Sequence, residues 1–400
     1  MAGLVKAARR VGVLAGSLAL ASAGLVGLLA APASAVTVSD EAELRAAFTN
    51  AAETQIDLDA DIALTDCSGV PAGEVRRNSN TALTIDGHGF QVRQTCPTAG
   101  VFGQSGGAAI TFQNIFITGG HQDNNDTCYG GGIRASAPIT VLNSSVVGNS
   151  AACAGGGISA GSSLTVRNST INDNSTDGEG GGIFQSAGPD ATFTMVNSTV
   201  TGNDTSSDNA GGGIRFFGAA TIVYSTIVNN TATNEANLSG YTGGPASLTI
   251  FGTVVALPLG GGDNCAGVGT PTTSYNWDDD GTCGFNGTGD HSNAGDPGLA
   301  ALASNGGATE TREPLPGSPL IDAIPTGSCQ NDGATGITTD QRFLPRPAGN
   351  GCDIGAVEVQ PTPPGPGPEP GPSPEPGPSP AEPGEPGAAV AVVAVVRFTG

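Results

Sequence analysis

Positive charge is what this sequence most lacks. Lys6 is its only lysine, and 14 basic residues stand against 36 acidic ones, a formal net charge of −22. Tracking a phosphate backbone takes clustered Lys and Arg, so nucleic acid is excluded as a partner. Aromatic residues are scarce too, at 4%, while glycine supplies 64 of the 400 residues. A thick core built from rings is therefore out of reach. Burial must come from small aliphatic side chains, which suits a thin, elongated solenoid whose layers cover one another. Past the N-terminus no apolar run approaches the ~20 residues of a spanning helix. His88, His121 and His291 are too scattered for an imidazole metal site, and no Ser-His-Asp or Cys-His pattern is legible.

What is present begins with an export signal. Lys6, Arg9 and Arg10 form a positive segment, Val11 to Leu29 an apolar one, and Ala33-Ser34-Ala35 a small-residue cleavage site before Val36. Residues 1–35 are expected to direct export and to be removed, with an uncleaved anchor as the alternative. Eleven basic residues then remain against 36 acidic, a net of about −25, which favours solubility outside the cell. A secreted or cell-surface location follows, with no transmembrane span in the mature chain. Eight cysteines fit that oxidising compartment.

The body of the chain repeats itself. Gly-Gly-Gly-Ile ends at Ile133, Ile158, Ile183 and Ile214. A second mark follows each copy: Asn143-Ser-Ser, Asn168-Ser-Thr, Asn197-Ser-Thr and Tyr224-Ser-Thr. Six residues after each of these positions comes Asn149, Asn174, Asn203 or Asn230. An apolar-x-apolar-x-Asn/Gly template starts at residues 83, 110, 139, 164, 193, 220 and 248, with steps of 25 to 29 residues. Alternation over three to five residues means short strands with one buried face. A constant period with no helical pattern between the strands argues against βαβ units. Residues 36–262 are expected to form a single-stranded right-handed parallel β-helix of about 8–10 coils, an all-β fold with equivalent residues stacked at ~4.8 Å. Asn114, Asn143, Asn168 and Asn197 would then form a hydrogen-bonded ladder.

Cys128 and Cys153 each precede a Gly-Gly-Gly-Ile isoleucine by five residues. Stacked coils bring their Cα atoms to ~5 Å, inside the disulfide window. Proximity in sequence pairs Cys67 with Cys96, Cys265 with Cys283, and Cys329 with Cys352. At the N-terminal end, Asp40-Glu-Ala-Glu43 reads as a capping box, and Leu44, Ala47, Phe48 and Ala51 share a helical face. A short helix over 39–52 is expected to cap the first coil. Residues 263–359 read as a turn-rich, disulfide-bonded C-terminal unit sealing the last coil, with Arg342 and Arg346 paired to carboxylates such as Asp340 or Asp353. Residues 360–387 are a Pro/Gly/Glu-rich disordered spacer; residues 361–387 alone hold 13 of the 28 prolines. Residues 388–400 form an apolar tail too short to span a membrane.

The repeats resemble those of polymorphic outer membrane proteins, within the pectin-lyase-like β-helix superfamily. Farther on come Tyr275-Asn-Trp-Asp-Asp-Asp-Gly-Thr-Cys283, Asp296-Pro-Gly-Leu299, Leu315-Pro-Gly-Ser-Pro-Leu-Ile-Asp322, Asp340-Gln-Arg-Phe-Leu-Pro-Arg-Pro347 and Cys352-Asp-Ile-Gly-Ala-Val-Glu358. This part resembles the choice-of-anchor Q domain of bacterial surface β-helix proteins, departing from it at Phe343, where that pattern has Gly. The resemblance implies a surface or secreted protein and no defined catalytic activity.

Lyases of this superfamily use calcium held by clustered Asp and an Arg or Lys base, as the resemblance implies. Arg134, Arg167 and Arg215 are the arginines to consider, and their offsets from the strands read as unequal. Asp86-Gly-His88-Gly89 suggests hydrolase carboxylates but reads more simply as a tight turn. Calcium is the one cation the sequence accommodates, at Asp278-Asp279-Asp280, at Asp123 to Asp126, or at Asp173 with Asp177 and Glu179. Solvated acidic turns account for all three, so no cofactor, metal site or catalytic residue is assigned. The sequence points to a binding or structural surface protein, adhesin-like or glycan-binding, whose partner is a polysaccharide or cell-wall surface. The alternative is a polysaccharide lyase or glycoside hydrolase. Three carboxylates, or an Arg–carboxylate set, within ~6 Å on one sheet face would favour it.

Overall fold

The computed structural model describes residues 35–69, 73–123, 128–186, 188, 190–206, 211–241, 247–329 and 336–361. The export signal, the Pro-rich spacer and the apolar tail lie outside the described residues. The chain climbs as an all-β parallel solenoid of about 8 turns. Strands of successive coils pair in parallel into stacked sheets of ten, nine, eight and four strands. The first sheet runs from Val36–Val38 to Thr272–Ser274, and the second from Ile62–Leu64 to Trp277–Asp278. The third runs from Val75–Arg77 to Asp263–Ala266; the short fourth sheet joins His121–Gln122 to Asp204–Thr205.

The repeated residues explain the coil. In the first sheet, Ile85, Phe112, Val141, Val166, Met195, Ile222 and Ile250 stack inward and are fully buried. Outward between them runs a file of threonines: Thr84, Thr111, Thr140, Thr165, Thr194, Thr221 and Thr249. The turn into the second sheet needs a left-handed residue, and Asn114, Asn143, Asn168 and Asn197 supply it at φ 45 to 50°. Asn tolerates that region at low cost. In the early coil His88, at φ 50°, takes this role rather than Gly87. The Gly-Gly-Gly triplet has two causes. Gly130, Gly155, Gly180 and Gly211 have φ between 56 and 68°. A Cβ on the next glycine of each triplet would lie within 2.2–2.4 Å of a carbonyl oxygen of a strand or the coil above.

Three polar columns run up the stack. Asn143 donates to Asn114 and Asn168 to Asn143, each at 3.3 Å, and Asn114 donates to Asp86 at 3.0 Å. Asn197 leaves this ladder and donates to the Thr339 carbonyl at 2.8 Å. The fuller ladder is the fully buried one. Asn149, Asn174, Asn203, Asn230, Asn237 and Asn264 each donate to the next, over 2.7–3.0 Å. The last of them, Asn264, donates to Asp278 at 2.9 Å. A third column, Ser144, Ser169, Ser198, Ser225 and Thr253, accepts the backbone N–H of the preceding coil.

Four disulfides join Cys67 to Cys96, Cys128 to Cys153, Cys265 to Cys283 and Cys329 to Cys352. The N-terminal helix is Glu41–Thr49, capped by Asp40, whose side chain accepts from Glu43 N at 2.9 Å. Leu44, Ala47 and Phe48 are buried, whereas Ala51 lies past the helix and is exposed. The C-terminal unit does more than seal the last coil. After Thr272–Ser274 and Trp277–Asp278 extend two sheets, the chain turns back along the ridge between the first and second sheets. Gln341 donates to Thr170 Oγ1 at 2.9 Å and accepts from Thr199 at 2.7 Å. Tyr224 donates to the Cys329 carbonyl at 2.7 Å. Leu320, Ile324, Ile337 and Ile354 pack on Val196, Val223, Phe251 and Val254 in a second apolar cluster. Arg342 pairs with Asp340 and Glu313, both at 2.8 Å, and Arg346 lies 3.4 Å from Glu358 and over the Tyr224 ring at 4.0 Å. Asp353 instead gives Arg346 its backbone carbonyl.

Candidate functional site

The third sheet carries the most chemically varied surface. Its outward position in successive coils is Arg76, Gly103, Arg134, Ser159, Phe184, Arg215 and Ser239. Arg134 and Arg215 therefore do share one column, because each directly follows its Gly-Gly-Gly-Ile isoleucine. Their offsets are equal, not unequal; only Arg167 stands apart, in the first sheet.

Four rings cross this face. Tyr129 stacks near Phe184 at 6.3 Å, Phe184 meets Phe217 edge-on at 5.7 Å, and Phe217 stacks on Tyr241 at 4.4 Å. Tyr129 and Tyr241 are 44% and 39% exposed. The Arg215 guanidinium lies 5.5 Å from the Phe217 centroid and 5.9 Å from that of Tyr241. It donates to Ser239 and to the Gly240 carbonyl and faces Glu179 at 3.8 Å. At the N-terminal end of the same face, the buried Glu74 carboxylate is held by Arg76 at 2.9 Å and by Arg134 at 3.0 Å. It fits over Gly103, where a Cβ would come within 2.5 Å of it. An amphipathic ring stripe with fixed guanidinium groups can stack on apolar faces of a ligand and bond its oxygens.

The acidic segments sort differently. Asp278, Asp279 and Asp280 are the one group among the described residues close enough to hold a cation together, and hard oxygens would suit calcium. Those oxygens already accept N–H groups of Leu257, Asn264 and Cys283, so they close the last coil. Burial, and then its side-chain hydrogen bond to Asp280, push Asp278 up to about 6. Asp173, Asp177 and Glu179 are not gathered into such a group; Asp126 lies outside the described residues. His88 sits 3.7 Å from Asp86 and 3.8 Å from Asp57. The structure also makes a contact that the sequence concealed. His121 Nδ1 meets Ser150 Oγ at 2.5 Å, and its Nε2 lies 3.6 Å from Asp123, in an open trough of about 410 Å3 with Ser175, Asp177 and Asp204. Those residues come from separate coils, which is why no linear motif announced them.

Residues 35–207 match the family model of the pectate lyase-like adhesive domain. Together with the parallel solenoid, the match supports the pectin-lyase-like β-helix superfamily. The matched stretch includes Arg76, Arg134, Tyr129 and Phe184 and ends before Arg215. No curated protein and no solved structure matches the chain. The disulfides and the adhesive-type domain fit an extracellular protein, and no helix among the described residues is long and apolar enough to cross a membrane.

Proposed function

We propose that this protein is an exported surface adhesin that binds polysaccharide along the outward face of its third sheet. The observation that carries the reading is the ring stripe from Tyr129 to Tyr241 beside Arg215, because Tyr129 and Tyr241 keep large apolar faces exposed to water. Such faces cost solubility unless a partner covers them. In this reading residues 1–35 direct export, 263–359 act as a choice-of-anchor Q unit, 360–387 are a spacer, and the repeats are of the polymorphic outer membrane protein type. Depletion of the protein by insoluble plant, fungal and bacterial polysaccharides tests it. Binding to at least one polymer is expected, weakened about tenfold by Tyr129→Ala with Tyr241→Ala. Binding that the double variant leaves unchanged would place the contact elsewhere.

A second reading, cleavage of an acidic polysaccharide, is favoured by one observation: Glu74, Arg76 and Arg134 form an Arg–carboxylate set on that face. The Glu74 carboxylate is fully buried and spent on two guanidinium groups, which suits a structural pair better than proton transfer. Release of unsaturated uronides from pectin or alginate, abolished by Arg134→Ala, would reverse the ranking.

A further inference from the structure

We propose a second ligand site, for a neutral pyranose, in the groove where the returning C-terminal segment stops short along the ridge between the first and second sheets. The groove holds about 420 Å3 and is lined by His88, Asn114, Phe116, Asn143, Ser145 and Ala308. That volume lies in the range of small-ligand sites.

The chain itself shows what this ridge binds. From Asn168 onward the ridge is covered by the returning segment. Thr309 donates to the Asn168 carbonyl at 3.4 Å, Thr170 donates to the Glu310 carbonyl at 2.5 Å, and Gln341 donates to Thr170 at 2.9 Å. One coil earlier the equivalent pair is Asn143 and Ser145, and one coil before that Asn114 and Phe116. The main-chain carbonyl and the hydroxyl that oxygen-bearing groups cover at Asn168 and Thr170 thus have their counterparts at Asn143 and Ser145 facing a groove to which the returning segment contributes Ala308. Ser145 Oγ makes no hydrogen bond among the described residues.

Phe116 adds a platform. It occupies the outward position that is Ser145, Thr170 and Thr199 in the following coils, and it is 37% exposed. An aromatic face beside a row of amides and hydroxyls is the arrangement that stacks on a sugar ring while bonding its hydroxyls. Charge then chooses among sugars. The lining has no Arg or Lys, and Asp86 and Asp57 flank His88 at 3.7 and 3.8 Å. The Asp86 and Asp57 carboxylates beside His88 add negative charge next to the groove, which disfavours uronates and sulfated sugars and leaves neutral pyranoses as the class that fits.

The full-length oxidised protein is to be titrated with methyl glucoside, galactoside and mannoside, with N-acetylglucosamine and with galacturonate, by saturation-transfer NMR and calorimetry. Binding of at least one neutral sugar and not of galacturonate is expected. Phe116→Ala should weaken it about tenfold. Loss of polymer binding in Tyr241→Ala alone would concern only the third sheet, so the two sites fail independently. The proposal is overturned if no neutral pyranoside binds, if Phe116→Ala binds as the parent does, or if a peptide copying residues 305–311 binds while the sugars do not.

Discussion

Replacing Asn174 by Ala should be among the most damaging single changes in the polar columns, and its size can be worked from the bonds. The side chain is fully buried. It accepts from Asn149 N and Nδ2, both at 3.0 Å, and donates to the Val146 carbonyl and to Asn203 Oδ1, both at 2.9 Å. After truncation Asn149 Nδ2 keeps the carbonyls of Ile117 and Val147, and Asn203 Oδ1 keeps Asn174 N. The Asn149 N–H and the Val146 carbonyl lose their side-chain partner. At ~1–3 kcal/mol for each buried group left unsatisfied, the cost is about 4 kcal/mol. Asn143→Gly is the control. It removes ladder bonds of 3.3 Å on a partly buried side chain, while glycine relieves the left-handed strain at φ 50°. A net change within about 0.5 kcal/mol is expected. Guanidinium unfolding under oxidising conditions, with the slope compared between variants, measures both. Equal costs for the two changes would refute the claim that burial, rather than membership of a ladder, sets the energetics.

Phe343 stands at φ 66° in a turn and is 49% exposed. Phe343→Gly should stabilise the protein by about 0.5–1 kcal/mol relative to Phe343→Ala, which keeps the strain; thermal unfolding that ranks Ala at or above Gly would count against it. Burial pushes Glu358 up to about 7 from 4.5, with Asp353 reinforcing the shift and Arg346 opposing it. Because its folded value lies above its unfolded one, the stability it contributes is full below about pH 4.5 and is lost as pH rises towards 7. Glu358→Gln should flatten the decline in melting temperature between those pH values, and an unchanged slope would assign it to other groups.

Much of the fold was readable because stacking turns sequence period into spatial contact. The Gly-Gly-Gly-Ile and Asn-Ser marks place the turns, and equal offsets of Cys128 and Cys153 place their sulfurs together. Which asparagine column is buried was not readable, since Asn143 and Asn149 differ only in the direction the backbone faces. The departure of Asn197 from its ladder was hidden too, because its partner Thr339 is 142 residues away in a segment with no period. The surface of the third sheet is legible only in part. The arginines follow the triplets, but Phe217 and Tyr241 directly follow strand ends and Tyr129 sits in an isolated bridge before its triplet, where no repeat position predicts a ring.

The buried asparagine column has a polarity. Every amide from Asn149 to Asn264 hands one hydrogen to the next side chain towards the C-terminal end, and the series finishes on the carboxylate of Asp278. An ionised carboxylate only accepts, so it ends the relay, whereas an asparagine there would carry two N–H donors of its own. The side-chain relay thus ends on an oxygen of Asp278, while the main chain itself stacks one layer farther, with Asp278 N donating to the His291 carbonyl at 2.8 Å.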